Sequence, residues 1–97
     1  MKEKISLALK QQLSRLMEAG KLSHFEYPSI QVTRPTEEGF GDYTTNVALV
    51  SAKSSGMNPR ALAELMLADF SLPEIERTEI AGPGHINFYL SDAAYAE

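Results

Sequence analysis

The chain has no cysteine, so neither a disulfide framework nor thiol chemistry is open to it, and the absence fits a reducing compartment. No stretch approaches the ~20 consecutive apolar residues of a membrane span. The opening Met1-Lys2-Glu3-Lys4-Ile5-Ser6 lacks the apolar block of a secretory signal. The expectation is a soluble, cytoplasmic protein without membrane partners. Histidine is scarce: His24 and His85 lie far apart with no cysteine beside them, so a metal-free chain is expected. Positive charge is also short, with nine Lys and Arg against thirteen Asp and Glu and a net charge of −4. Broad, sequence-blind binding of nucleic acid runs on basic surface, and this balance argues against it.

Signatures of catalysis are missing as well. The serines sit in no Gly-x-Ser-x-Gly elbow, and there is no Gly-Lys-Ser/Thr phosphate loop. Gly39-Phe40-Gly41 lacks the third glycine and the preceding strand of a dinucleotide fingerprint. His85-Ile86 runs into Asn87-Phe88 and so forms no His-Ile-Gly-His nucleotide motif. Neither a catalytic residue nor a cofactor site is expected within this chain.

What is present is ordinary globular composition, 43% hydrophobic and 23% charged over 97 residues, enough for one small domain. Its charge is uneven. Residues 1–21 hold Lys2, Lys4, Lys10, Arg15 and Lys21 against Glu3 and Glu18, a local +3 that leaves −7 for the remainder. Any contact with a phosphate backbone should therefore be local and weak, through Lys2, Lys4 and Lys10 of the first helix. The plainer alternative is a solvated helix face.

Ile5, Ala8, Leu9, Leu13, Leu16 and Met17 recur at helical spacing from Lys2 to about Ala19, and Gly20 stands where a left-handed cap belongs. Leu7 falls off this stripe, either to touch something outside the chain or as a single exposed leucine. Pro28 argues against a central strand in the connector that follows. Ile30-Gln31-Val32-Thr33 alternates and predicts a strand, and Thr36 to Asp42 reads as a loop. Asp42 suits the N-cap of a helix over Tyr43–Lys53, apolar all round from Val47 to Val50 and so expected to be covered on more than one side. Gly56 ends it. Asn58-Pro59 starts a further helix with Leu62, Leu65, Met66 and Phe70 inward, closed by Pro73. Residues 74–81 predict a strand paired with the next one.

That next strand organises the chain. Gly82-Pro83-Gly84 is turn chemistry, and the six residues after it alternate strictly. Ile86, Phe88 and Leu90 make a core stripe. His85, Asn87 and Tyr89 take the other face, about 6.6 Å apart at ~3.3 Å per residue. A ring, an amide and a second ring in a row can stack on an unpaired base and bond its edge, as proteins do with RNA loops. The bland alternative is a set of polar residues on the wet side of a sheet. Ser91-Asp92 then resembles a helix cap, followed by too few residues for a stable helix. The expected division is a domain over 1–91 and, over 92–97, the start of a truncated connecting helix.

Three blocks, Gly41-Asp42-Tyr43-Thr44-Thr45-Asn46-Val47-Ala48-Leu49, Asn58-Pro59-Arg60-Ala61-Leu62-Ala63 and Ala81-Gly82-Pro83-Gly84-His85-Ile86-Asn87-Phe88-Tyr89-Leu90, occur in an order and at spacings that resemble the N-terminal additional domain of arginyl-tRNA synthetases. The resemblance covers nearly all of the chain. It implies an α+β fold, a two-layer sandwich with helices on one face of a small antiparallel sheet in the order α-β-β-α-α-β-β, and a second strand between Thr36 and Tyr43. It further implies contact with the D-loop of an arginine-specific tRNA through Asn87 and position 85, where the family usually has Phe or Tyr and this chain has His85. Tyr89 is added from strand alternation alone. The parent enzyme would join arginine to its tRNA with ATP, using a catalytic domain on the same polypeptide. The competing readings are a structural packing domain or a protein-interaction module that contacts no base.

Overall fold

The computed structural model describes residues 1–27, 29–35 and 41–92. Helix α1 (Lys2–Glu18) buries Ile5, Leu9, Leu13 and Leu16, the three- and four-residue spacing that its sequence shows. Gln12 is buried with them. Beyond it Gly20 adopts φ +76°, and the Lys21 amide donates back to the Leu16 carbonyl at 3.0 Å, so orphan carbonyls of the last turn find partners. The chain continues through β1 (Val32–Thr33), β2 (Tyr43–Thr45), α2 (Val47–Ser55), α3 (Pro59–Leu67), β3 (Ile75–Ala81) and β4 (His85–Leu90). The four strands form one sheet in the order β1-β2-β4-β3, with every neighbouring pair antiparallel. This is the expected α+β arrangement in the expected element order.

The three described helices cover one face of the sheet. Val32, Tyr43, Thr45, Ile86 and Phe88 point to that side and are buried against Ile5, Leu9, Leu13, Val47, Leu62 and Met66. Each fully enclosed Ile, Leu or Phe contributes about 1.5–3 kcal/mol over its exposed state, so this layer is the main source of stability. Helix α3 starts as its sequence predicts: Asn58 Oδ1 accepts the amides of Arg60 at 2.9 Å and Ala61 at 3.3 Å, and Pro59 occupies the first helical position. It ends at Leu67, before Pro73, and Phe70 packs at a ring separation of 5.7 Å on Phe88.

Other expectations are corrected. The first strand is confined to Val32–Thr33. Asp42 caps no helix; Tyr43-Thr44-Thr45 is a strand, paired Tyr43 with Phe88, Thr44 with Asn87 and Thr45 with Ile86. The β-branched threonines and the tyrosine gain a ladder and a buried face there, which outweighs the cap-like position of the aspartate. Helix α2 instead begins at Val47, whose amide donates to Thr45 Oγ1 at 3.3 Å. Its Val50 is 47% exposed, so the helix is covered on one side only. The strand implied between Thr36 and Tyr43 falls partly on residues 36–40, outside the described residues, as does most of the helix start over 92–97.

Two glycines are fixed by close approach. Gly41 has φ +83°, and a Cβ there would stand 2.7 Å from the Phe88 carbonyl oxygen. At Gly84 a Cβ would stand 2.9 Å from the Pro59 Cβ, and Arg60 Nη1 donates to the Gly82 carbonyl oxygen at 3.1 Å. The Asn-Pro-Arg start of α3 and the Gly-Pro-Gly turn are therefore one contact in space. No described helix is long and apolar enough to cross a membrane.

Candidate nucleic-acid interface

Among the described residues, no helix covers the second face of the sheet. Strand parity puts Thr44 of β2, His85, Asn87 and Tyr89 of β4, Arg77 and Glu79 of β3, and Thr33 of β1 on it. The three residues expected to act together do lie in one row, but in three different environments. His85 is exposed, Tyr89 half-buried, and Asn87, at the centre between Thr44 and Glu79, only 3% exposed.

Tyr89 is held by its neighbours. The Arg77 guanidinium lies 3.9 Å from the ring centroid, close enough for cation–π attraction. The Tyr89 hydroxyl donates to Glu79 Oε2 at 3.1 Å, while Arg77 Nη1 donates to Glu79 Oε1 at 2.5 Å. Desolvation first, and then the Glu79 carboxylate, push the Tyr89 phenol above the usual tyrosine range. Sequence reasoning missed Arg77 and Glu79. Their alternation on β3 is visible in the sequence, but their partnership with Tyr89 and Asn87 exists only through the β3–β4 register.

To the other side of His85 lies a cleft of about 180 Å³ lined by Gln31, Thr33, Thr44, Thr45, Asn46 and His85. It was equally invisible from the sequence, because three strands and a helix start contribute to it.

Lys2, Lys4 and Lys10 rise from α1 in the helical layer, away from the His85 row. Lys2 and Lys10 are exposed. Lys4 is ion-paired and hydrogen-bonded with Glu74 Oε2, a buried carboxylate at the head of β3. That bond, seconded by a backbone amide, holds the Glu74 carboxyl below the usual glutamate range. Among the described residues no group of three or more His, Cys, Asp or Glu could hold a metal ion.

The geometry defines a two-layer α+β domain whose helices cover one side of an antiparallel sheet and leave a polar side open. Residues 3–90 match the family described as the arginyl tRNA synthetase N terminal domain, and the chain belongs to that family. It is 41% identical over 98 residues to an arginine–tRNA ligase of Coxiella burnetii, covering 98% of this chain and 16% of that protein. An arginine–tRNA ligase of Pseudomonas syringae pv. tomato is 40% identical over 97 residues, covering 99% and 17%. The chain thus spans 16–17% of the length of these curated relatives. Among solved structures, arginyl-tRNA synthetase from Plasmodium falciparum superposes with a TM-score of 0.78 at 18% identity, over 96% of this chain and 16% of that one. The Thermus thermophilus arginyl-tRNA synthetase superposes with a TM-score of 0.72 at 24% identity, over 97% and 14%. These two likenesses concern the fold.

Proposed function

We propose that this chain is the tRNA-recognition domain of a cytoplasmic arginine–tRNA ligase, and that its open sheet face meets the D-loop of an arginine-specific tRNA. The observation that carries the reading is the exposed His85 ring on a sheet face that no described helix covers, set among amides and hydroxyls, in a chain of this family. A ring offers stacking and the amides offer both donor and acceptor, which is what an extruded base requires. One good polar base contact is worth roughly 1–3 kcal/mol by analogy with base readout. In this reading the parent polypeptide attaches arginine using ATP in a catalytic domain outside these residues. Lys2 and Lys10 then add weak attraction to phosphate from the helical layer.

An NMR titration with the matching tRNA, at low and moderate salt, tests this. Shifts confined to residues 84–90 and their sheet neighbours, weakened when the D-loop base is changed, are expected. Shifts that vanish with salt and ignore the base would overturn it.

A second reading has its own observation. Leu7 and Val50 are 56% and 47% exposed, apolar surface suited to packing on another body. If packing is the whole role, alanine at His85, Asn87 and Tyr89 leaves aminoacylation by the parent enzyme unchanged.

A further inference from the structure

We propose that the outer edge of β3 is an interface between two copies of this chain, joined antiparallel about a two-fold axis at Thr78. The inference is independent of the RNA-binding reading above. In the sheet order β1-β2-β4-β3, strand β3 pairs with β4 on one side, and no described strand adjoins its other side. At seven residues it is the longest of the four strands. Alternate residues along it therefore point amide and carbonyl away from the sheet, in position to continue the ladder.

Edges of this kind are usually guarded by charge, because a charged residue set against its own copy repels it. The charges of β3 do the reverse. Arg77 and Glu79 stand one residue to either side of Thr78, on the same face of the strand. A two-fold axis at Thr78 thus sets Arg77 opposite the second copy's Glu79, and Glu79 opposite the second copy's Arg77. Their side chains are 56% and 46% exposed, and they already form an ion pair within the strand. In the dimer this pair becomes a row of alternating charges. Opposite charges directly across an antiparallel pair contribute about 0.2–1 kcal/mol each. On the axis Thr78 meets its own copy, and one step out Glu76 meets Ile80, so no like charges face each other. Between Ile75 and Arg77 the β3–β4 register shifts, and the matched stretch ends at Glu76 on one strand and Ile80 on the other. A contact this short belongs to the weak, transient class, so assembly is reversible and depends on concentration.

The test is the mass of the full-length ligase carrying this domain, measured by sedimentation velocity across micromolar concentrations, with folding of each variant checked by thermal melting. The unmodified ligase should move from monomer toward dimer as concentration rises, and less so at high salt. Arg77→Glu sets carboxylates against carboxylates, and Glu79→Arg sets guanidinium groups against one another. Each should weaken association about tenfold. Mixed in equal amounts, the two variants present opposite charges at every crossing, and dimers with one copy of each should return to the unmodified level. The double variant, Arg77→Glu with Glu79→Arg, keeps the symmetry with the signs exchanged and should dimerise like the unmodified ligase. A ligase that stays monomeric throughout, or dimers that neither single reversal weakens, would overturn the proposal. So would a mixture that remains as monomeric as its components.

Discussion

Asp42 and Leu90 are joined end to end across two strands: Asp42 Oδ2 accepts the Leu90 amide at 2.9 Å, and the Asp42 amide donates to the neighbouring Phe88 carbonyl at 2.8 Å. The side chain thus adds a bond to β4 beside the backbone bond that Asp42 makes itself. Asp42→Ala should cost about 1–3 kcal/mol, the range for a charged acceptor lost from a part-buried amide. Urea unfolding followed by circular dichroism measures it, and an unchanged midpoint would show that water replaces the carboxylate without loss.

Glu74 and Lys4 make stability depend on pH. The folded state holds the Glu74 carboxyl below the usual glutamate range, mainly through Lys4, so the unfolded chain binds that proton more tightly. The contribution is complete above the ordinary glutamate range and fades as pH falls through the lowered folded value. Parent and Glu74→Gln proteins should therefore differ most in unfolding midpoint near neutrality and converge in acid. A difference that stays constant with pH would assign the effect to packing instead of charge.

Gly41 and Gly84 should resist alanine for different reasons. At Gly41 the left-handed backbone alone costs about 1–2 kcal/mol for a residue with a Cβ, and the 2.7 Å approach to Phe88 adds to it. At Gly84 the obstacle is Pro59, and its relief requires α3 to shift. Gly41→Ala should lower the melting temperature more than a control Gly20→Ala, where a Cβ meets nothing within 4 Å.

Glu79→Gln should bring the Tyr89 phenol down toward the usual tyrosine range without fully restoring it, since desolvation is the larger cause and remains. A ring-carbon NMR titration of Tyr89 reads this directly. No movement on substitution would mean that the carboxylate has little influence on the phenol.

Much of this molecule is legible in its sequence where one element announces itself. The α1 stripe, the Asn58-Pro59 start and the Gly-Pro-Gly hairpin all rest on spacing or on turn chemistry within a few residues, and the structure has each of them. Asp42 misled because a strand of three residues runs into α2 with only Asn46 between, leaving no glycine or proline to mark the change. Alternation assigned the face of Asn87 but could not show its enclosure, which depends on Thr44 and Glu79 from strands on either side. The Arg77–Tyr89–Glu79 cluster and the cleft beside His85 are products of register, and register joins residues tens of positions apart.

The contact between the Gly82–Gly84 turn and the start of α3 has a mechanical consequence. His85 directly follows Gly84, which abuts Pro59, and Arg60 clasps the Gly82 carbonyl from the same helix end. The first exposed ring of the bare face thus stands one residue from a contact with the opposite layer. A tilt or slide of α3, imposed by whatever leans on the helices, should therefore displace His85 on the far side. The sheet face is in this sense not independent of the helical one: pressure on one surface sets the aim of the other.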